Sequence, residues 1–385
     1  MPTSAVHNLL YRLALPVMAP AVPRLPIAAE SERPCENRAA LISILRRNHI
    51  SGAAIRLQSG DECCDIYTRA VHTDLVPDEH TFFRVASVTK MATALLSVRL
   101  MDEGLLDPDA PVSGLLPEGE KVPELKGIRF RHLLSHTSGL SDPPGLEEML
   151  NRQAPYPKAV AGRRLHSPGE HFLYSNLGYG LAGCVLENLL NEPLGRIFRT
   201  LLFDPLQMNA TLEGCSLPEK QIMPVIRILP YRSGSGFCVT PLGKKPLDSP
   251  DPMIHYGHSA GSMYTDLPSL AKLLRCIRDG GKPLLSPQYA DYMKKEVSQY
   301  GKLSPTLAYG SGLLIIRDPR ISPHTVYGHQ GFAYGCVDGA FWEEDTGRML
   351  ISLNGGCSEA RSGRLGIANL ELCRFAFRKE MPRWK

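Results

Sequence analysis

The sequence predicts an α+β fold: one antiparallel sheet assembled from both ends of the chain, flanked by helices and carrying an inserted, mainly helical subdomain. Three observations predict it. Strand-like stretches lie toward both termini, and the middle from residue 107 to about 251 is helical or irregular, with no dominant alternation. The 385 residues, 43% apolar and 21% charged, suffice for one large globular unit.

Residues 1–36 read as a Pro-rich extension. Within it, residues 9–29 are apolar enough to suggest export, but Arg12 is the only early basic residue, and Pro16, Pro20, Pro23 and Pro26 interrupt the apolar run. The expectation is therefore cytoplasmic. Residues 39–47 carry the apolar spacing of a first helix. A single domain is expected over 37–380, with an α/β part at 37–86 and about 295–380 and a helical part at 87–294. Strands follow at 52–58 and 64–70 across the Ser59-Gly60-Asp61 turn. Residues 88–103 are apolar-periodic and closed by Gly104, a helix with a glycine stop that leaves Ser87 at its start. Residues 131–140 are turn-rich, and a helix is expected at 267–278 with Gly280-Gly281 beyond it. Strands at 309–316, 335–342 and 348–354 follow, the last two joined by the turn Glu343-Glu344-Asp345-Thr346-Gly347, and a helix at 366–379 ends the chain.

Composition removes several classes of function. Lys plus Arg number 43 against 39 Asp plus Glu, spread evenly apart from a basic end at Arg374, Arg378, Lys379, Arg383 and Lys385, so no nucleic-acid partner is expected. No run of about 18 apolar residues occurs, so no transmembrane segment is expected. The 10 cysteines form no C-x-x-C pair, and adjacent Cys63 and Cys64 read as reduced thiols on two faces of one strand. The 12 histidines include no H-E-x-x-H, and His132 and His136, four apart, read as structural. No metal and no cofactor are expected; the partner is a small-molecule or peptide substrate, and oligomeric state is left open.

Three short motifs carry chemistry. In Ser87-Val88-Thr89-Lys90 a serine and a lysine three apart lie on one helical face, so the amine can reach the hydroxyl. A serine alcohol attacks only when a base takes its proton, and Lys90 can do so only as a neutral amine. From an ordinary pKa of about 10.4 this requires lowering by about 3 units, about 4 kcal/mol, which burial and the positive end of a helix both favour. Tyr174-Ser175-Asn176 is the only Y-x-N in the chain. Its phenol can relay a proton beside a lysine, and its amide can both hold a substrate carbonyl and accept a bond from Lys90. In His329-Gln330-Gly331 a strand ending in glycine lets a substrate backbone approach, and the amides of Phe332 and Ser87 would form an oxyanion hole worth about 2.7–4 kcal/mol per donor. A second S-x-x-K, Ser269 to Lys272, falls inside a surface-type helix, and His255-Tyr256-Gly257 lacks a following strand.

The ordered set S-x-x-K, Y-x-N and H-x-G resembles the serine β-lactamase and penicillin-binding-protein superfamily, in its class C-like branch of β-lactamases, DD-peptidases, D-aminopeptidases and esterases. F-R-V-A-S-V-T-K, H-L-L-S-H-T-S-G-L, Y-S-N-L-G-Y, A-G-S-M-Y-T-D-L, Y-G-S-G-L and G-H-Q-G extend the resemblance over about residues 37–380. It implies a β-lactamase/transpeptidase-like fold, with Ser87 as acylated nucleophile, Lys90 as base and Tyr174 as proton relay. Asn176 would hold a carbonyl, and His329, Gln330, Gly331 and Phe332 would form the substrate-bearing strand edge. Relatives that read a free carboxylate usually carry a hydroxyl where this chain has Gln330. That favours an esterase, an amidase or a D-aminopeptidase-like enzyme over a β-lactamase or D-Ala-D-Ala carboxypeptidase, although a glutamine amide can still bind a carboxylate.

Other readings stand beside this one. The same nucleophile would serve an acyltransferase, or a penicillin-binding sensor that acylates without turnover. A literal G-x-S-x-G at 257–261 would make Ser259 the nucleophile of an α/β-hydrolase with Asp318 as acid and His324 or His329 as base, but residues 248–255 do not supply the buried strand that such an elbow needs.

Overall fold

A computed structural model of the chain describes residues 9–10, 13–15, 17, 27–31, 35, 37–227, 238–302 and 304–378. Nine strands form one antiparallel sheet: β1 (Ile27–Glu30), β2 (Ala53–Ser59), β3 (Glu62–Thr68), β4 (Ser298–Gln299), β5 (Leu307–Tyr309), β6 (Leu314–Ile316), β7 (Val326–Ala333), β8 (Cys336–Glu343) and β9 (Met349–Asn354). Their order is β1-β3-β2-β9-β8-β7-β6-β5-β4. The two ends of the chain meet where β2 pairs with β9, from Ala53 opposite Asn354 to Gln58 opposite Met349.

Side chains of β8 alternate between two cores, as a strand covered on both faces requires. Ala340 and Trp342 pack into the helical side together with Met91, Leu95, Met349 and Ile351. Val337 and Phe341 pack on the other face with Leu41, Leu350 and Leu372, contributed in part by helices α1 (Arg38–Arg47) and, near the C-terminus, α5 (Ile367–Phe377). Between the sheet halves run α2 (Thr89–Asp102), α3 (Asn176–Leu190) and α4 (Leu267–Arg278). Helix α2 is apolar on nearly every side, T-K-M-A-T-A-L-L-S-V-R-L-M-D, because it is buried on nearly every side.

The structure departs from the sequence reading in three places. Ile27–Glu30 lies inside the expected extension yet pairs with β3 as the sheet's edge strand. The strand expected at 309–316 is two strands with a turn between them. Gly312 has φ +78°, and a Cβ there would come within 2.2 Å of Ala94 on α2, so the chain turns away from the helix at a residue that must be glycine. The helical middle also contributes a small three-stranded sheet, Phe83–Arg84, Tyr264–Thr265 and Ala210–Thr211. The last helix ends at Phe377, and Lys379, Arg383 and Lys385 of the basic end lie outside the described residues, as does most of 1–26. Among the described residues no helix is long and apolar enough to cross a membrane.

Candidate active site

Ser87 sits in a single turn, Ala86–Val88, that leads into α2. Ala86 has φ +45°, a left-handed conformation that costs a residue with a Cβ about 1–3 kcal/mol and persists only where its surroundings enforce it. Here Val85 N–H donates to Met263 O at 3.0 Å, Val88 N–H donates to Val85 O at 3.1 Å and Thr89 Oγ1 donates to Ala86 O at 2.6 Å. Met263 N–H closes the set on Thr89 Oγ1 at 3.1 Å. The strained turn is thus held from both sides.

At the start of α2, one turn beyond Ser87, Lys90 is wholly buried. Its Nζ donates to Ser87 Oγ at 3.0 Å, Asn176 Oδ1 at 2.8 Å and Ala260 O at 2.6 Å. Burial pushes its pKa down to about 7, opposed by the negative charge of Asp142 and assisted by the positive charge of Arg84. A substantial fraction of Lys90 is therefore neutral near pH 7, the condition for accepting a proton from Ser87. Arg84 is itself buried, donates from Nη2 to Gly261 O at 3.0 Å, and so braces the backbone beside the Ala260 carbonyl that Lys90 uses.

The opposite wall is the start of α3. Ser175 caps it by accepting from Gly178 N–H at 2.9 Å. Tyr174 precedes the cap, and its ring centroid lies 5.0 Å from Lys90 Nζ. Burial raises the Tyr174 pKa, so the phenol keeps its proton at neutral pH. His136 stacks against the Tyr174 ring at 4.2 Å and accepts from Ser175 N–H at 3.1 Å through Nδ1. Burial holds His136 well below the usual imidazole range, helped by the charge of Lys90. It packs behind the phenol as a neutral ring, and among the described residues no cluster of His, Cys, Asp or Glu has metal-binding geometry.

Asp142 was not marked by any motif. Its Oδ2 accepts from Asn176 Nδ2 at 2.8 Å, and its Oδ1 accepts from Leu177 N–H at 2.9 Å and Ser175 Oγ at 3.2 Å. One carboxylate thereby turns the Asn176 oxygen toward Lys90 and sits at the positive end of α3. Since Asp142 favours the charged lysine, Asp142→Asn is expected to move the acid limb of kcat/KM below its wild-type position and lower kcat/KM about tenfold. A pH–rate profile checks this, and a limb that moved upward would contradict the assigned role.

The third wall is the edge of β7. Strand β6 pairs only with Val326, Tyr327 and Gly328, and among the described residues no strand pairs with 329–333 on that side. His329 donates from Nδ1 to Gln330 O at 2.7 Å and accepts at Nε2 from Tyr309 Oη at 2.9 Å. Burial pushes its pKa down to about 3, so it too is neutral. Gly331 faces Ser87, and a Cβ there would lie 2.4 Å from Val85 O and 3.3 Å from Ser87 N. Alternation places Gln330 and Phe332 on the other face. The Gln330 amide donates to Arg364 O at 2.8 Å and accepts from Gly366 N–H at 3.1 Å, and Arg361 covers the Phe332 ring at 4.0 Å. The Gln330 side chain is therefore occupied away from Ser87, and at Gln330 and Phe332 it is the backbone of the strand edge that faces Ser87.

The competing motifs lie elsewhere. Ser259 is fully buried in the short helix His258–Gly261, donates to Tyr179 O at 2.8 Å and has no preceding strand, so the α/β-hydrolase reading fails. Ser269 accepts from Asn209 N–H at 2.8 Å, and Lys272 reaches Gln207 O at 2.6 Å. His255 is tied to buried Glu187 at 2.9 Å.

Comparison with known proteins agrees with this architecture. The family described as Beta-lactamase matches residues 46–346. Esterase EstB of Burkholderia gladioli is 28% identical over 334 residues, covering 75% of this chain and 81% of that protein. Two further curated relatives are matched over 36% and 37% of their own lengths. Among solved structures, a penicillin-binding protein from Bacillus halodurans superposes with a TM-score of 0.67 at 21% identity, covering 84% of this chain and 96% of that one. The D-amino acid amidase of Ochrobactrum anthropi SV3 gives 0.67 at 23% identity, covering 84% and 92%.

Proposed function

The chain belongs to the Beta-lactamase family, and from that premise we propose that it is a serine hydrolase that opens small ester or amide bonds through an acyl-enzyme on Ser87. The observation that carries this reading is the 3.0 Å contact between Ser87 Oγ and a buried Lys90 amine whose pKa is about 7. Neutral Lys90 takes the Ser87 proton as Oγ attacks the carbonyl carbon. The oxyanion would be met by the N–H groups of Ser87 and Phe332, brought near each other because Gly331 lets the strand approach the Ser87 turn. Tyr174, whose burial keeps it protonated at neutral pH, would hand a proton to the leaving group, while the Asn176 amide would orient the substrate carbonyl. Water then attacks the acyl carbon and regenerates Ser87. The similarity to an esterase over most of both chains, with Gln330 held away from the cleft, supports an ester or simple amide over a carboxylate-bearing β-lactam or D-Ala-D-Ala peptide.

The test is intact-mass spectrometry after incubation with a fluorophosphonate and, separately, with a penicillin, followed by peptide mapping. A single phosphonate adduct on Ser87 and rapid turnover of p-nitrophenyl esters are expected; an adduct on another residue would overturn the assignment. Tyr174→Phe is expected to lower kcat about 10²–10³-fold on anilides and less on p-nitrophenyl esters, whose leaving group departs without a proton. Equal losses on both would remove Tyr174 from the leaving-group step.

A further inference from the structure

At the far end of the cleft the two lips touch. Strands β7 and β8 are joined by Tyr334-Gly335, both with positive φ (+55° and +102°), the hairpin turn whose twist suits antiparallel strands. The tip is pinned, since a Cβ on Gly335 would come within 2.1 Å of Ile226 O. The Tyr334 ring packs with Ala86, the residue before Ser87, and with Val225 and Cys336, while the Arg84 guanidinium lies 5.0 Å from its centroid. From there Tyr334 Oη reaches across and donates to Glu147 Oε1, on the short helix Leu146–Asn151. Five residues earlier the same segment carries Asp142, which fastens it to Asn176. The segment 142–147 is therefore one lip and the β7 edge the other, with Ser87 between them and a tyrosine–carboxylate bond joining them at one end.

The direction of the substrate follows from the proton relay. Tyr174 lies toward His329, 6.4 Å between ring centroids, and His329 is at the opposite end of the free edge from Tyr334. A leaving group that takes its proton from Tyr174 points toward His329, so the acyl group runs along residues 331–333 and ends against Tyr334. We propose that the Tyr334–Glu147 bridge closes the acyl end of the cleft and restricts the enzyme to short acyl groups. This rests on the Ser87 reading. A hydrogen bond to a carboxylate is stronger than one between neutral groups, and its donor ring is fixed by a pinned hairpin, so lengthening the acyl chain means breaking it.

The experiment compares kcat/KM for p-nitrophenyl acetate, butyrate, hexanoate and octanoate among wild type, Glu147→Ala, Tyr334→Phe and the neighbouring Glu148→Ala. Tyr334→Phe keeps the ring and removes only the donor, and circular dichroism verifies folding. Wild type and Glu148→Ala are expected to lose about tenfold or more from butyrate to octanoate, and Glu147→Ala and Tyr334→Phe to hold that loss within about threefold. Folded variants with the wild-type chain-length profile, or a wild type that accepts octanoate as readily as butyrate, would overturn the proposal. A parallel series of alkyl acetates separates the two ends: if the variants widen acceptance on the alcohol side alone, the acyl end has been misplaced. If wild type neither hydrolyses the acetate ester nor takes a phosphonate on Ser87, the Ser87 reading falls and this inference with it.

Discussion

Ser87→Ala is expected to lower kcat on p-nitrophenyl acetate by about 10⁴–10⁶-fold and to abolish the phosphonate adduct without loss of fold. The size of the effect follows from the site being a unit. Lys90 bonds the Ser87 oxygen directly and Asn176 holds Lys90, and without that oxygen the amine has only water to act on, so what remains is binding and any oxyanion contact. The substitution itself is mild, because the turn is held by backbone bonds of Val85 and Val88 and by the hydroxyl of Thr89 rather than by Ser87 Oγ. Stopped assays with active-site titration check the value. A loss under about 10²-fold would mean that another group attacks, and Ser259→Ala, which removes buried bonds to Tyr179 O and Gly180 O away from Ser87, serves as the control.

Lys90→Met separates function from stability and should move them in opposite directions. Removal of the base is expected to cost about 10³–10⁴-fold in kcat. For stability, the unfolded lysine holds its proton up to its usual 10.5, the folded one only up to about 7. Between these values the unfolded state binds more protons, so wild-type stability rises as pH rises from 7 to 10.5. Below pH 7 the fold carries the whole burden of a buried ammonium, about 5 kcal/mol for a shift of this size. Methionine fills the same space without charge but leaves Asn176 Oδ1 and Ala260 O without their donor, which offsets part of the gain. Denaturant melts at pH 6 are therefore expected to show Lys90→Met more stable by about 1–3 kcal/mol, with the difference shrinking toward pH 10. A variant less stable than wild type at pH 6 would refute the buried-charge account.

What could be read from the sequence was local. Ser87 and Lys90 share a helical face whatever the rest of the chain does, and the spacing of Tyr174 and Asn176 around a capping serine is a property of one helix start. The sheet assembled from both termini was legible in the same way, from alternation and turn residues. Partners far apart in sequence were not. Asp142 and Asn176 are 34 residues apart, and Tyr334 and Glu147 are 187 apart, and nothing in either neighbourhood marks the other. The break at Gly312 is decided by the approach of Ala94, a tertiary contact invisible to alternation. The face that Gln330 occupies was hidden for a related reason: it depends on strand register and on the neighbouring loop at 364–366.

The pairing of β2 with β9 also bears on the protein's synthesis. A chain leaving the ribosome N-terminus first has made Ser87, Lys90 and Tyr174 long before the strand that completes the cleft exists, and β7 and β8 cannot be anchored to β2 until Met349–Asn354 has emerged. A nascent chain therefore holds Ser87 without the strand edge that faces it in the finished fold. Closure by contacts nearly 300 residues apart makes the complete site a late product of biosynthesis, and until then the β2 edge of the β2–β3 hairpin (Ala53–Thr68) lacks its partner strand.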